Sequence, residues 1–206
     1  MILFLILTGC SYLPLGSLSP TPTLLIERDI SPTITLPDTV QELIPLLLGD
    51  REDYRFAAAR RLGALGPAAA PAVPALVINL YYDGAYEVRQ AAAQALGEIG
   101  PGSKKAIPAL TAVLLTDFVH VRVDAAIALG KIGDKSAIYS LVKALDDEDD
   151  GVSGEAARSI GLITGQSFPD INSSGFHINE NGVLDIVQAA KDWWEREGQH
   201  DDWLDH

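Results

Sequence analysis

Alanine and leucine recur at helical spacing in four stretches of the chain, and each stretch runs into a glycine. The clearest one, residues 86–100, reads YEVRQAAAQALGEIG, and variants of it occupy 54–66, 119–133 and 152–164. One glycine recurs in all four stretches, in steps of 34, 33 and 31 residues, at Gly63, Gly97, Gly130 and Gly161. A period of this length predicts an array of helical units stacked in a row.

The columns of these stretches separate core from surface. Alanines stand five and four residues before the glycine in every unit, and Leu or Ile stands one before it and two after it. These positions form one apolar helix face. Gly66, Gly100 and Gly133 are predicted to end three of the helices as C-caps. The fourth unit has Thr164 at that place and is interpreted as a degraded terminal unit.

An earlier helix is predicted in each unit. An apolar residue with Leu three positions later marks it at Val40, Val73, Ile107 and Ile138. Prolines accompany several of these starts, where no backbone donor is needed, whereas Pro45 lies deeper and should kink or shorten its helix. Asp38 with Gln41 three residues later has the form of a capping box that opens the folded body. The pattern therefore predicts an all-α array of helix pairs.

Residues 88–100, with the pattern V-R-x-A-A-x-x-A-L-G-x-I-G, resemble the HEAT repeat in the short form of the phycobilisome-lyase type. Residues 121–133 match nearly as well, and the resemblance covers roughly 38–165. It implies a right-handed α-α superhelix of about four repeats. It also implies that Arg55, Arg89 and Arg122 form a structural ladder, for which Asp50, Asp83, Asp117 and Asp147 are the candidate partners. An anion-binding stripe is the alternative reading of these arginines.

Second helices line the concave face of HEAT solenoids, and on that face the residues of this chain vary. A helical stripe six before, three before and one after the glycine, with the position seven before it, carries the variation. We predict from it a protein-binding surface at Phe56, Arg60, Gln90, Gln94, Glu98, Val123, Ile127, Lys131 and Arg158. The alternative is a solvated face under no constraint.

The N-terminal residues 1–9, MILFLILTG, are apolar but too few to span a bilayer as a helix. Leu7-Thr8-Gly9-Cys10 resembles the lipobox of bacterial lipoproteins, although no Lys or Arg precedes the run; a start codon further upstream would explain that. The resemblance implies cleavage before Cys10, a lipid on its sulfur and a place in the bacterial envelope. Ser11 favours the outer membrane where there is one. The alternative is a stray apolar N-terminus with a buried cysteine.

Two further segments flank the repeats. Residues 10–37 contain five prolines among Ser, Thr and Gly and are predicted to form an extended tether. Residues 166–206 are predicted to form a loop and a last helix, from about Gly182 to Gly198, capped by Asn181. Its Trp193 and Trp194 are expected to cover the open end of the array.

Charge and candidate chemistry narrow the function. The formal net charge of −13 and pI near 4.5 argue against nucleic acid, and they fit a basic partner or simple solubility. The acidic run 146–150 lacks calcium-loop spacing, so Asp149 or Asp150 is read as a helix cap, and no metal or cofactor is expected. The sequence favours a membrane-anchored, non-enzymatic scaffold or adaptor with a protein partner. The alternative implied by the resemblance is a lyase-type, bilin-binding enzyme or enzyme subunit.

Overall fold

The computed structural model describes residues 35–168 and 185–199, so the predictions for Cys10, the signal segment and most of the tether lie outside the described residues. Both described ranges are helical and contain no β-strand. The helices are α1 (Val40–Leu47), α2 (Glu52–Leu65), α3 (Val73–Tyr82), α4 (Tyr86–Ile99), α5 (Ile107–Thr116), α6 (Val119–Ile132), α7 (Ile138–Ala144), α8 (Asp150–Thr164) and α9 (Asp185–Trp193). The predicted all-α class is confirmed.

The first eight helices form two layers. Helices α1, α3, α5 and α7 pack side by side in one layer, and α2, α4, α6 and α8 pack side by side in the other. Each first helix also packs on the second helix of its own pair. The chain thus stacks four helix pairs into a solenoid, as the period of the sequence predicts.

The start of α1 corrects one local prediction. Thr39, not Asp38, is the N-cap: its hydroxyl oxygen accepts from the Glu42 backbone N–H and its hydroxyl donates to the Glu42 carboxylate over 2.7 Å. Both pairs have the capping-box spacing, so the sequence alone could not choose between them. Asp38 instead pairs with Arg61 of α2 at 2.6 Å. Helix α1, which contains Pro45, has only 8 residues.

Glycines end the second helices. Gly66, Gly100 and Gly133 have φ angles of 56°, 68° and 73°, a region that favours glycine. Helix α8, the second helix of the fourth pair, also ends at a glycine with positive φ, Gly165 at 75°. The terminal unit therefore keeps its C-cap glycine, one residue later than the others, and the reading that Thr164 had replaced it is wrong. The 3-10 segments Gly66–Ala72 and Gly100–Ala106, which follow two of these caps, were not predicted.

The recurring glycine inside each second helix has a packing role. A methyl group on Gly63 would lie 3.2 Å from Cα of Ala95, and one on Gly97 would lie 3.0 Å from Cα of Ala128. Carbon atoms prefer separations of about 3.5–4.0 Å. Neighbouring second helices therefore approach too closely for any side chain at this position, and the buried alanine columns contribute to the same close contact.

The tail takes the place of a further repeat at the end of the array. Gly161 of α8 faces the Gln166 carbonyl oxygen and the Phe168 ring, 3.0 Å and 3.4 Å from a methyl group at that position. The Phe168 ring packs on Trp193, which is 5% exposed, and α9 packs on α8. Asn181, the predicted cap of this helix, lies outside the described residues. From Asp185 onward the helix covers the last repeat, and a π-helical turn, Trp194–Gly198, follows it.

One stretch, Glu52–Tyr82, is long and apolar enough to cross a membrane by length and composition alone. It consists of α2, a 3-10 segment and α3, not of a single helix. Its apolar side chains include Leu62 and Leu76, both fully buried in the core of the array. Within this stretch, 44% of the apolar window is buried inside the array.

Candidate functional site

The first two predicted ladder arginines bind the aspartate of the following repeat with two hydrogen bonds each. Arg55 donates to the two carboxylate oxygens of Asp83 over 2.6 Å and 3.0 Å, and Arg89 donates to those of Asp117 over 2.7 Å and 2.5 Å. Each guanidinium also donates to a backbone carbonyl of its own turn, that of Asp50 for Arg55 at 3.0 Å. Such bidentate pairs are strong and directional, and they tie consecutive turns together.

The third rung of the ladder is weaker. Arg122 donates to Asp147 through one nitrogen, over 2.8 Å, and its buried Nε has no hydrogen-bond partner. The same oxygen of Asp147 accepts from the Asp149 backbone N–H over 2.9 Å, so it serves the next helix start as well. Asp50, a fourth candidate partner, offers Arg55 only its carbonyl oxygen. The carboxylate of each rung thus comes from the repeat that follows.

The carboxylates of the first two rungs have lowered pKa values. Burial raises the pKa of Asp83, but hydrogen bonds from Arg55, the Ala85 backbone and Asn79 outweigh it, and the pKa falls below its ordinary value of 3.8. The pKa of Asp117 is lowered in the same way, by Arg89 and the Phe118 backbone against burial. A lowered folded-state pKa contributes stability above the unfolded value, and that stability is lost as the pH falls through the folded pKa.

A groove of about 640 Å³ runs across the second helices α2, α4 and α6. It collects five of the nine predicted partner-binding residues: Arg60, Gln94, Glu98, Ile127 and Lys131. Gly63 and Gly97 also line it, beside Ala95 and Ala128. The glycine that lets the helices approach therefore also leaves part of the groove wall without side chains. We call this feature the second-helix groove.

Polar side chains in the second-helix groove hold one another across repeats. Gln90 and Gln94 of α4 both donate to the same carboxylate oxygen of Asp124 on α6, over 2.7 Å and 2.9 Å. Lys131 of α6 donates to Glu98 of α4 over 2.6 Å. These bonds fix the positions of the groove's carboxylates before any ligand binds. The lining combines ordered polar groups with small apolar ones, as recognition surfaces do.

Four predicted partner-binding residues lie elsewhere. Gln90 acts on the groove only through Asp124. Phe56 stands at the start of α2 beside Glu87, in a separate depression, and Val123 is half-buried against the core. Arg158 pairs with Glu155 of its own helix and lines the end of the array instead. Phe56, Gln90 and Val123 stand in the column seven before the glycine, which does not line the groove, and Arg158 belongs to the fourth repeat, whereas the groove covers α2, α4 and α6 from their middle to their C-terminal ends.

The acidic run after α7 is occupied by structural contacts. Asp149 caps α8 by accepting hydrogen bonds from the backbone N–H groups of Gly151 and Val152. It is one of the two residues predicted as this cap. Asp147 belongs to the ladder, and Asp146 pairs with Lys191 of α9 at 2.7 Å. In residues 35–168 and 185–199 no group of three His, Cys, Asp or Glu side chains is placed to hold a metal ion.

The family model described as HEAT repeats matches residues 73–161. This part of the chain consists of HEAT repeats. The matched residues begin with α3 and end within α8, so they hold the second, third and fourth helix pairs. The first pair has the same layer positions and the same ladder contact, so the solenoid extends to it in three dimensions.

Solved structures resemble the HEAT array. An engineered protein is 27% identical, with a TM-score of 0.50 over 74% of this chain and 68% of that one. The complex of CpcE and CpcF of phycocyanin lyase from Nostoc sp. PCC7120 is 23% identical, with a TM-score of 0.50 over 68% and 70%. A designed armadillo repeat protein in complex with the peptide (KR)4 is 20% identical, with a TM-score of 0.54 over 79% and 75%.

The last two similarities concern the fold alone at these identities. They place the chain among helical repeat solenoids and leave its ligand open. A comparison with curated proteins found no match.

Proposed function

We propose that this chain is a non-enzymatic HEAT-repeat scaffold that binds a protein partner in the second-helix groove and is held at a bacterial envelope membrane by a lipid on Cys10. The observation that carries the proposal is the groove itself. It is continuous over three repeats and about 640 Å³ in volume, and ordered but irregular polar side chains line it. An irregular lining favours an irregular ligand, such as a segment of another protein, over a repeating polymer.

The dimensions of the groove suit a polypeptide. Packed helices lie about 8–10 Å apart, so three consecutive second helices span about 20 Å. An extended chain advances about 3.3 Å per residue, and about six residues would therefore fill this length. Asp124 and the Glu98–Lys131 pair offer the ligand both charges, and Ile127 with the alanines offers it apolar contact.

The anchoring part of the proposal rests on the sequence. Leu7-Thr8-Gly9-Cys10 has the form of a lipidation site, and the proline-rich residues after it would separate the lipid from the array. Stable membrane attachment takes more than one acyl chain, which a lipoprotein N-terminus supplies. A scaffold of this kind would keep its groove near the membrane surface.

A crosslinking experiment in intact cells tests the groove. Ala64 lines the groove, is exposed and makes no side-chain hydrogen bond, so a photo-reactive residue placed there removes no described interaction. Lys105 is an exposed control outside the groove. We expect a crosslinked protein partner from position 64 that is absent from position 105. Equal crosslinking from both positions, or none from position 64, would contradict the proposal.

Charge reversals separate binding from folding. Arg60 is exposed in the groove and touches only the Phe56 ring among its described contacts, whereas Arg89 makes two bonds to Asp117. Arg60→Glu should reduce the amount of partner that is crosslinked from position 64, and it should leave the melting temperature nearly unchanged. Arg89→Glu should lower the melting temperature, because a buried carboxylate then loses its partner. Loss of the partner with normal melting in Arg89→Glu would mean that the two roles are exchanged.

A further inference from the structure

A second surface lies along one rim of the array. The turns between the two helices of each pair form this rim, which we call the turn edge: residues 48–55, 78–89, 115–122 and 145–150. Ten large hydrophobic side chains are exposed in the described part of the chain, and seven of them belong to the turn edge. They are Leu48, Ile78, Tyr81, Tyr82, Tyr86, Leu115 and Phe118. Exposed apolar groups gathered in one patch mark interaction sites, whereas scattered ones need no explanation.

The aromatic rings of the turn edge are positioned by one another. Tyr82 is 78% exposed and Phe118 is 63% exposed. Tyr81 packs against Tyr82 in a tilted arrangement with ring centroids 5.2 Å apart, and Tyr86 packs against Phe118 in the same way at 5.4 Å. The Arg89 guanidinium, already fixed by Asp117, lies 5.8 Å from the Phe118 ring centroid. Ordered tyrosines and arginines dominate the energy of protein interfaces, because little conformational freedom is lost when a partner binds.

Two depressions separate the turns. One, of about 590 Å³, lies between the second and third turns and is lined by Tyr81, Phe118 and Arg122 among others. The other, of about 270 Å³, lies between the first two turns beside Leu48 and Tyr82. Two residues of these linings hold buried polar atoms without a partner, Arg122 Nε and Asn79 Oδ1. Large side chains of a partner could enter both depressions.

The charge of the turn edge is strongly negative. Its four segments hold eleven Asp or Glu residues and four arginines, and every one of these arginines is in an ion pair with an aspartate. The fourth turn, 145–150, holds five of the carboxylates, and its one large apolar residue, Leu145, is only 2% exposed. The rim is therefore apolar along its first three turns and acidic at its fourth.

We propose that the turn edge binds a segment of another protein in which large apolar side chains are followed by Lys or Arg. The apolar side chains would pack on the rings and enter the two depressions, and the cations would face the exposed carboxylates of Glu148 and Asp150, which the ladder, the α8 cap and the Lys191 pair do not use. Charge complementarity decides between occupants: a second copy of this chain would bring carboxylates against carboxylates, and an anionic membrane would be repelled. This surface is separate from the second-helix groove, so the proposal does not depend on that function.

Fluorescence anisotropy with synthetic peptides tests the proposal on the full chain. The probe is a labelled peptide in which leucines and tryptophans precede a run of lysines. One companion peptide has glutamates in place of the lysines, and another has serines in place of the apolar residues. We expect the first peptide to bind and both companions to bind at least about tenfold more weakly. Added salt should weaken binding of the first peptide, since salt screens the attraction between exposed charges.

Matched variants locate the binding. The double substitution Tyr82→Ser with Phe118→Ser should weaken binding of the lysine peptide about tenfold or more, without lowering the melting temperature greatly. If that double variant unfolds, Ile78→Ser with Leu115→Ser serves the same purpose. Tyr139→Ser is the control, because Tyr139 is 53% exposed but stands at the other end of its helix, away from the turn edge. It should leave the affinity unchanged.

Several outcomes would overturn the proposal. Equal affinities for the lysine and glutamate peptides would show that charge does not select the ligand. Equal losses of affinity in Tyr139→Ser and in the double variants would show that the peptide does not bind at the turn edge. A wild-type dimer in sedimentation velocity that dissociates in Tyr82→Ser with Phe118→Ser would make a second copy the occupant. Vesicles of phosphatidylcholine and phosphatidylglycerol that bind the wild type and not that variant would make a membrane the occupant.

Discussion

The glycine within each second helix offers a direct test of how the repeats pack. A methyl group on Gly97 would lie 3.0 Å from Cα of Ala128, and a methyl group on Gly130 would lie 2.4 Å from Oγ of Ser159. The first contact is with backbone, which cannot move aside alone. The second displaces a hydroxyl that donates to the Ala126 carbonyl over 2.8 Å. Gly→Ala substitutions at these positions therefore force α4, α6 and α8 apart.

The expected change in the free energy of unfolding is the difference between two opposing effects. Overpacking costs about 1–3 kcal/mol, and replacing glycine by alanine inside a helix returns about 1 kcal/mol. We expect Gly97→Ala to lose about 1 kcal/mol net, or about 2–4 °C of melting temperature for a chain of this size. Gly130→Ala should lose more, about 2–4 kcal/mol, because the buried Ser159 hydroxyl also loses its acceptor.

Gly84 provides the control. It stands in a turn, has no positive φ, and a methyl group there would meet no atom within 4 Å. Gly84→Ala should stabilise the protein slightly, by about 0.4–1 kcal/mol, by restricting the unfolded chain. Urea unfolding, monitored by circular dichroism, gives the order of stability of the variants and the wild type. A Gly97→Ala variant as stable as Gly84→Ala, or more stable than the wild type, would refute the close approach of the second helices.

Three further predictions concern the ladder, the core and the anchor. The free energy of unfolding of the wild type should fall as the pH drops below about 4. The Asp83→Asn variant should be less stable at neutral pH, but its free energy of unfolding should fall less steeply with decreasing pH. Parallel pH dependences of the two proteins, measured by urea titration, would contradict this. Ala92→Leu should destabilise by about 1–3 kcal/mol and Gln94→Leu by much less, so the reverse order in thermal melts would show a wrong helix register. Cys10→Ser should release the protein from the membrane fraction or leave it unprocessed, and unchanged fractionation without lipid by mass spectrometry would refute the anchor.

The sequence predicts the repeats well because their signals are local. Helix periodicity and C-cap glycines are decided within one helix, and the arginine column repeats with it. The HEAT resemblance adds the aspartate of a neighbouring turn, and the contact between Arg55 and Asp83 follows that pattern. The choice of Thr39 over Asp38 as the N-cap shows the limit even of local rules, because two overlapping residue pairs satisfy the same spacing.

Features that depend on contacts between repeats could not be predicted in the same way. The pairing of Gln90 and Gln94 with Asp124 requires the relative rotation of α4 and α6, which no single helix specifies. Arg158 shares its column with Arg60, Gln94 and Ile127 of the groove, yet the end of the array gives it other surroundings. The 3-10 segments carry proline and small residues without helical periodicity, so their sequence does not distinguish them from loops.

The division of the second helix into columns explains how constant packing and a varied groove coexist in one short repeat. In α4 the alanines at 92 and 93 and Leu96 face the core, and they are fully buried. Gln94, between them in sequence, points to the groove, because one residue corresponds to about 100° of helix rotation. Groove positions can therefore change from Arg60 to Gln94 to Ile127 in successive repeats while the packing columns stay the same. The side chains of the groove can therefore differ between repeats without loss of the fold, except where Asp124 ties the side chains of two repeats together.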